Sequence, residues 1–159
     1  MEPRIETLPE TKLVGKMLKM SFTENKTSEL WQSFMPKKRE IKNIAGNELY
    51  SVEIYDDGFF EQFDPTAKFE KWAAVKVSEF ENLADFENLT IPAGLYAVFT
   101  YQGKSSEGAK FYQFIFADWI PKSEFLIDAR PHFALMGEKY KNDSDDSEEE
   151  IWIPVSIKK

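Results

Sequence analysis

The 159-residue chain contains no cysteine. A disulfide framework, a thiol nucleophile and a Cys-based metal site are therefore excluded by composition. A single histidine, His132, leaves no imidazole cluster for a transition metal and makes a Ser-His-Asp arrangement a poor fit. His132 is read as a structural residue, and neither a metal nor a cofactor is expected. Long apolar runs are missing as well. No stretch approaches the roughly 18 residues that a membrane span requires, and residues 1–10 are too charged for a secretory signal. The expected setting is cytoplasmic, with no membrane partner. Basic residues are outnumbered, 20 Lys and Arg against 28 Asp and Glu, for a formal charge of −8. A phosphate backbone is held by clustered cations, so no direct nucleic-acid contact is expected.

What the chain has in excess is aromatic surface: 14 Phe, 6 Tyr and 4 Trp make up 15% of it, a surplus that fits a pocket lining as well as a core. The length suits a single domain, residues 1–159. The acidic field favours a cationic ligand over an anionic one.

Residues 148–157, Glu-Glu-Glu-Ile-Trp-Ile-Pro-Val-Ser-Ile, alternate at period two. Ile151, Ile153 and Val155 share one face of the expected strand, while Glu150, Trp152 and Pro154 share the other. An indole face beside a carboxylate suits a flat or hydrophobic cation. The plainer reading is a half-buried strand with a solvated Glu and a core Trp.

The same periodicities organise the rest of the chain. Residues 3–9 read as a proline-bounded lead-in and 12–22 as a strand. A helix is expected over 27–35, capped by Thr27 or Ser28, with Leu30, Trp31 and Phe34 at helical spacing. Residues 49–55 and 71–80 read as strands, the first with Tyr50, Val52 and Ile54 on one face and the second with Trp72 and Ala74 on one face. Residues 59–69 read as loop. Residues 89–94 read as a turn into a strand over 95–101, followed by a loop over 102–108, a helix over 109–119, and extended segments at 125–127 and 132–137. Residues 142–149 form an acidic loop.

Shifted by about 80 to 85 residues, the order strand, helix, strand, strand occurs twice. Glu70-Lys71-Trp72 falls in the slot of Glu150-Ile151-Trp152, and Met35-Pro36-Lys37 in that of Ile120-Pro121-Lys122. The expected fold is α+β, a pseudo-twofold duplication of a β-α-β-β unit with antiparallel sheets, a first repeat of about 1–84 and a second of about 85–159. Both helices are expected on one side of the sheets. The opposite sides, carrying Glu150, Trp152, Glu70 and Trp72, should then face each other across a ligand cleft between the halves.

Four segments carry a family resemblance: Pro3-Arg4-Ile5-Glu6 leading into Leu13-Val14-Gly15, Leu30-Trp31-Gln32-Ser33-Phe34, Ile91-Pro92-Ala93-Gly94-Leu95-Tyr96, and the ending Glu150-Ile151-Trp152-Ile153-Pro154. Together they resemble the GyrI-like small-molecule-binding family, also known as the AraC-type bacterial effector-binding domain, over nearly the whole length. The resemblance implies a cleft for cationic, amphipathic or aromatic compounds, with Glu150 as the acid and Trp152 as an aromatic wall. By the repeat, Trp72 is the symmetry-related wall, and strand ends and faces add Tyr55 and Glu138. Relatives that regulate transcription carry a helix-turn-helix domain, which this sequence lacks, so the expectation is a stand-alone binding protein, monomer or homodimer. Two alternatives stay open. One is a hydrolase of strained electrophilic xenobiotics, in which Glu150 is the base and a Tyr hydroxyl is still required as partner. The other is a protein-interaction module of the gyrase-inhibitor type, supported by the acidic run 143–150.

Overall fold

Period-two alternation yields nine antiparallel strands among the residues described in the computed structural model, which are 2–60, 64–104, 107–141 and 144–158. The loop readings over 59–69, 102–108 and 142–149, and the acidic run 143–150, fall partly outside these residues. In chain order the strands are β1 (Arg4–Leu8), β2 (Thr11–Met20), β3 (Leu49–Ile54), β4 (Phe69–Lys76), β5 (Glu87–Ile91), β6 (Gly94–Gln102), β7 (Phe125–Ile127), β8 (His132–Met136) and β9 (Glu148–Ile157). Their lateral order is β1-β6-β9-β8-β3-β4-β2-β5, with β7 beside β9. Read inward from either end, the strands of the two strand-helix-strand-strand units follow the same sequence, first, third, second.

Two strands went unread in the sequence. The lead-in at 3–9 contains β1, and the presumed turn at 89–94 contains most of β5. Both are five-residue edge strands with mostly exposed or half-exposed side chains, so they lack the apolar signal of a core strand. Their pairing closes the sheet. Leu8 lies opposite Gly94 and Thr11 opposite Ile91, the same register on either side of the break at Pro9 and Pro92. Because β1 leads into β2 and β5 into β6 within two residues, the ends of the sheet meet and it curls into a barrel-like shape.

The inner face holds Leu13, Tyr50, Val52, Trp72, Ala74, Ile91, Tyr96, Val98, Phe133 and Trp152. Burying each large side chain stabilises by about 2 kcal/mol. Faces were assigned correctly from periodicity, but the space between them was not. Where a cleft was expected, the aromatic side chains meet and fill the interior, with Trp152 stacked on Phe133 at 5.2 Å.

The outer face carries the helices. Helix α1 (Thr27–Phe34) buries Leu30 and Phe34 against Val14, Ala73 and Val75. Its cap is Lys26 rather than Thr27 or Ser28 and makes no side-chain bond. Asn25 Oδ1 accepts instead from the Thr27 N–H at 2.9 Å. Pro36 sits in the first turn of the 3-10 continuation Met35–Glu40, where it removes no needed donor. Helix α2 (Gly108–Phe114) runs into a π turn, Ile115–Trp119, and then α3 (Ile120–Lys122). The sequence suggested a uniform helix here. In the wider turn Ile120 N–H reaches back to Ile115 O, ahead of Pro121, which has no N–H to continue an α ladder. Among the described residues no helix is long and apolar enough to cross a membrane.

Candidate functional site

The site follows from which strands the helices leave bare. Helix α1 covers β2 and β4, and α2 with its continuation covers the β6 and β9 side. The two central strands, β3 and β8, are paired to each other and lie between the helices. Since Tyr50 and Val52 point inward, the alternation sends Leu49, Ser51 and Glu53 to the helix side, and β8 sends Ala134 and Met136 there. Small side chains at Ser51 and Ala134, opposite each other in register, keep the floor low.

The resulting cleft has a volume of about 1090 Å³. Trp31 and Gln32 of α1 and Met35 of its 3-10 continuation form one wall, and Tyr112 of α2 stands on the other side. Glu53, Lys71 and Glu149 bring charge to the floor. Lys71 Nζ lies 2.8 Å from Glu53 Oε1, with side-chain exposures of only 13% and 12%. The Glu149 carboxylate makes no hydrogen bond or ion pair among the described residues. Burial, and then the Glu53 charge, raise its proton affinity above the ordinary carboxylate value, with Lys71 opposing. Burial also pushes the Tyr112 hydroxyl well up, followed by the charges of Glu53 and Glu149, which places these groups in one electrostatic cluster.

Aromatic rings from both halves meet beside that cluster. Phe60 stacks on Phe116 at 4.8 Å, Tyr112 lies parallel to Phe116 at 6.4 Å, and the Tyr55 ring meets His132 edge-on at 5.0 Å. His132 is buried, and its pKa is lowered to about 3 by desolvation and by the Arg130 charge, so the imidazole is neutral at ordinary pH. Among the described residues no group of three or more metal-binding side chains is placed to hold an ion.

The five residues singled out in the sequence do not converge on this cleft. Trp152 and Trp72 are 8% and 5% exposed within the inner core. Their indole N–H groups donate to Glu150 at 3.1 Å and to Glu70 at 3.3 Å, the same local geometry in both Glu-x-Trp segments. Glu150 also pairs with Arg4 at 2.8 Å, and that guanidinium lies 5.9 Å from the Trp152 ring centre. Glu138 and Glu150 share a smaller hollow of about 510 Å³ with Glu48, Glu148 and, at its border with the larger cleft, Glu149. Tyr55 lies on the helix side, packed among Phe59, Phe60 and Phe69. The sequence reading did not single out Glu149, Glu53, Lys71, Trp31 or Tyr112 as site residues. A signal for Glu149 was present, because period two puts it on the face of Ile151 and Ile153.

Known proteins share this architecture. The transcriptional regulator BrlR of Pseudomonas aeruginosa is 26% identical over 160 residues, covering 98% of this chain, which in turn spans 56% of that protein. The structure of SAV2435 bound to tetraphenylphosphonium superposes with a TM-score of 0.70 at 20% identity, covering 98% of this chain and 94% of the other. The EcmrR C-terminal domain superposes with a TM-score of 0.72 at 15% identity, with 98% of each chain covered. At those identities the likeness speaks for the fold. The family model of the GyrI-like small molecule binding domain matches residues 1–156, which is nearly the whole of the sheet and all the helices described, and the chain therefore belongs to the GyrI-like family of small-molecule-binding domains.

Proposed function

We propose that this domain binds a small amphipathic aromatic cation in the cleft between α1 and α2, with Glu149 as its counter-charge. The observation that carries the reading is a half-buried carboxylate without a partner, on the floor of an apolar-walled cavity of about 1090 Å³. A cavity of that size encloses most of a drug-sized molecule. A cation there regains for Glu149 the charge pairing it lacks, and Trp31 and Tyr112 offer ring faces to the aromatic part. The ligand bound in SAV2435 is of this class. In this reading Glu150 and Glu138 belong to the barrel mouth, where Glu150 holds Arg4, and the domain acts as the ligand-sensing part of bacterial transcription regulation.

The test is calorimetric titration of tetraphenylphosphonium into the wild-type protein, Glu149→Gln and Glu150→Gln. Loss of a charge-assisted contact weakens binding by about 1.5–3 kcal/mol, so Glu149→Gln should bind roughly 10- to 100-fold less tightly. Glu150→Gln should bind as wild type does. The reverse pattern would move the site to the barrel mouth.

A further inference from the structure

The cleft carries one charge that cation binding does not require. Its lining holds two carboxylates, Glu53 and Glu149, and among the described residues a single cation, Lys71. An ammonium in the floor repels a cationic guest, so its presence needs a reason. Helix α1 supplies no charge to the lining, only Trp31, Gln32 and neutral neighbours; α2 supplies Tyr112 and β8 supplies Ala134 and Met136. The charge of the cleft is thus set by β3, β4 and β9 alone.

Lys71 and Glu53 are direct register partners on β4 and β3, and their ion pair is almost wholly withdrawn from solvent. A desolvated pair is held strongly, because removing one partner strands the other. Glu53 is consequently occupied, and only Glu149 is open to a guest.

We propose that Lys71 is a specificity-determining residue that holds the cleft at one net negative charge, so that it accepts singly charged amphipathic cations and discriminates against dications. This rests on the cleft being the ligand site. Without Lys71, two carboxylates would face the cavity from one floor and suit a second positive charge. Without Glu53, the freed ammonium would turn to Glu149 and cancel the site. Without both, one negative charge would remain.

The experiment compares an aromatic mono-quaternary ammonium with the bis-quaternary compound of the same ring system, by calorimetry at about pH 9, well above the ordinary carboxylate range. The proteins are wild type, Lys71→Met, Glu53→Gln and the double variant, each checked for folding by circular dichroism. Lys71→Met should shift the affinity ratio toward the dication by about tenfold or more, Glu53→Gln should weaken both compounds by about tenfold or more, and the double variant should return to the wild-type ratio. Should Lys71→Met not fold, loss in Glu53→Gln with recovery in the double variant carries the test, and equal affinities in those two overturn the proposal. An unchanged ratio in all folded variants, with Glu149→Gln still weakening binding, makes Lys71 purely structural and overturns it while leaving the site intact. If the wild-type protein binds neither compound, the ligand-site reading falls and this proposal with it.

Discussion

Glu149 and Glu150 are consecutive residues of β9 that project from opposite faces of the sheet, Glu149 into the cleft between the helices and Glu150 toward Arg4, whose guanidinium lies 2.8 Å away. One carboxylate is satisfied and the other is not. The unsatisfied one is costly to the empty protein, since burial raises its pKa above the ordinary value. A raised carboxyl pKa means stability that is full below the unfolded-state value and is lost as pH rises through the folded-state value. Glu149→Gln should therefore melt at a higher temperature than wild type at pH 7–8, about the same at pH 4, and bind cations less well. Thermal melts across pH check the sign; a lower melting temperature at neutral pH would contradict it.

Cation affinity should follow the same titration. Binding requires ionised Glu149, so the wild-type affinity for a pH-insensitive quaternary cation should rise with pH through a midpoint above the ordinary carboxylate range, while Glu149→Gln stays flat. Calorimetry in a pH series, with proton release measured from the buffer dependence of the heat, reads this directly.

His132 should govern an acid limb of stability. Its pKa is lowered to about 3 by burial and by Arg130, so the group binds a proton in the unfolded chain before it does in the folded one. For such a group stability is present above the unfolded value, near 6.5, and is lost as pH falls from there toward 3. His132→Phe, placed among Tyr55, Phe60 and Phe116, should keep the neutral melting temperature and flatten the decline between those pH values. Denaturant midpoints at three or four pH values would show it.

Trp31 meets Phe34 edge-on, packs against the core under α1 and also lines the cleft, so its indole is both a core contact and a wall. Trp31→Leu should weaken aromatic cations by about 1 kcal/mol and aliphatic quaternary cations much less. Paired titrations separate this from a general loss of the cavity, which would lower both equally.

Gly15 sits in β2 where an added Cβ would meet the Ala73 carbonyl and the Ala74 backbone. Backbone in the middle of a ladder cannot step aside, and overpacking of this kind costs about 1–3 kcal/mol. Gly15→Ala should lower the denaturant midpoint while leaving cation affinity per folded molecule unchanged.

Strands with a clear apolar alternate, such as Ile151, Ile153 and Val155 opposite Trp152, were legible in the sequence because burial on one face is all that a period-two pattern encodes. The strands β1 and β5 were not, since edge strands with polar sides are stabilised by pairing partners far away in the sequence rather than by their own pattern. The π turn at Ile115–Trp119 was likewise hidden, because the aromatic spacing of the segment also fits an ordinary helix.

For the site, chain-local information determined which residue types exist to build it: an acidic, aromatic-rich domain without thiols, whose last strand carries three consecutive carboxylates. Periodicity also put Glu149 with Ile151 and Glu150 with Trp152. It could not say which face of the sheet is hollow. That was decided by closure of β1 on β6 and β5 on β2, which brings the inner aromatics close enough to fill their own space. It was decided equally by the separation of α1 and α2, which leaves the floor of β3 and β8 uncovered and places Glu149, rather than its neighbour, in the lining of the cleft. Vacancy is a property of how distant segments pack, and no stretch of sequence contains it.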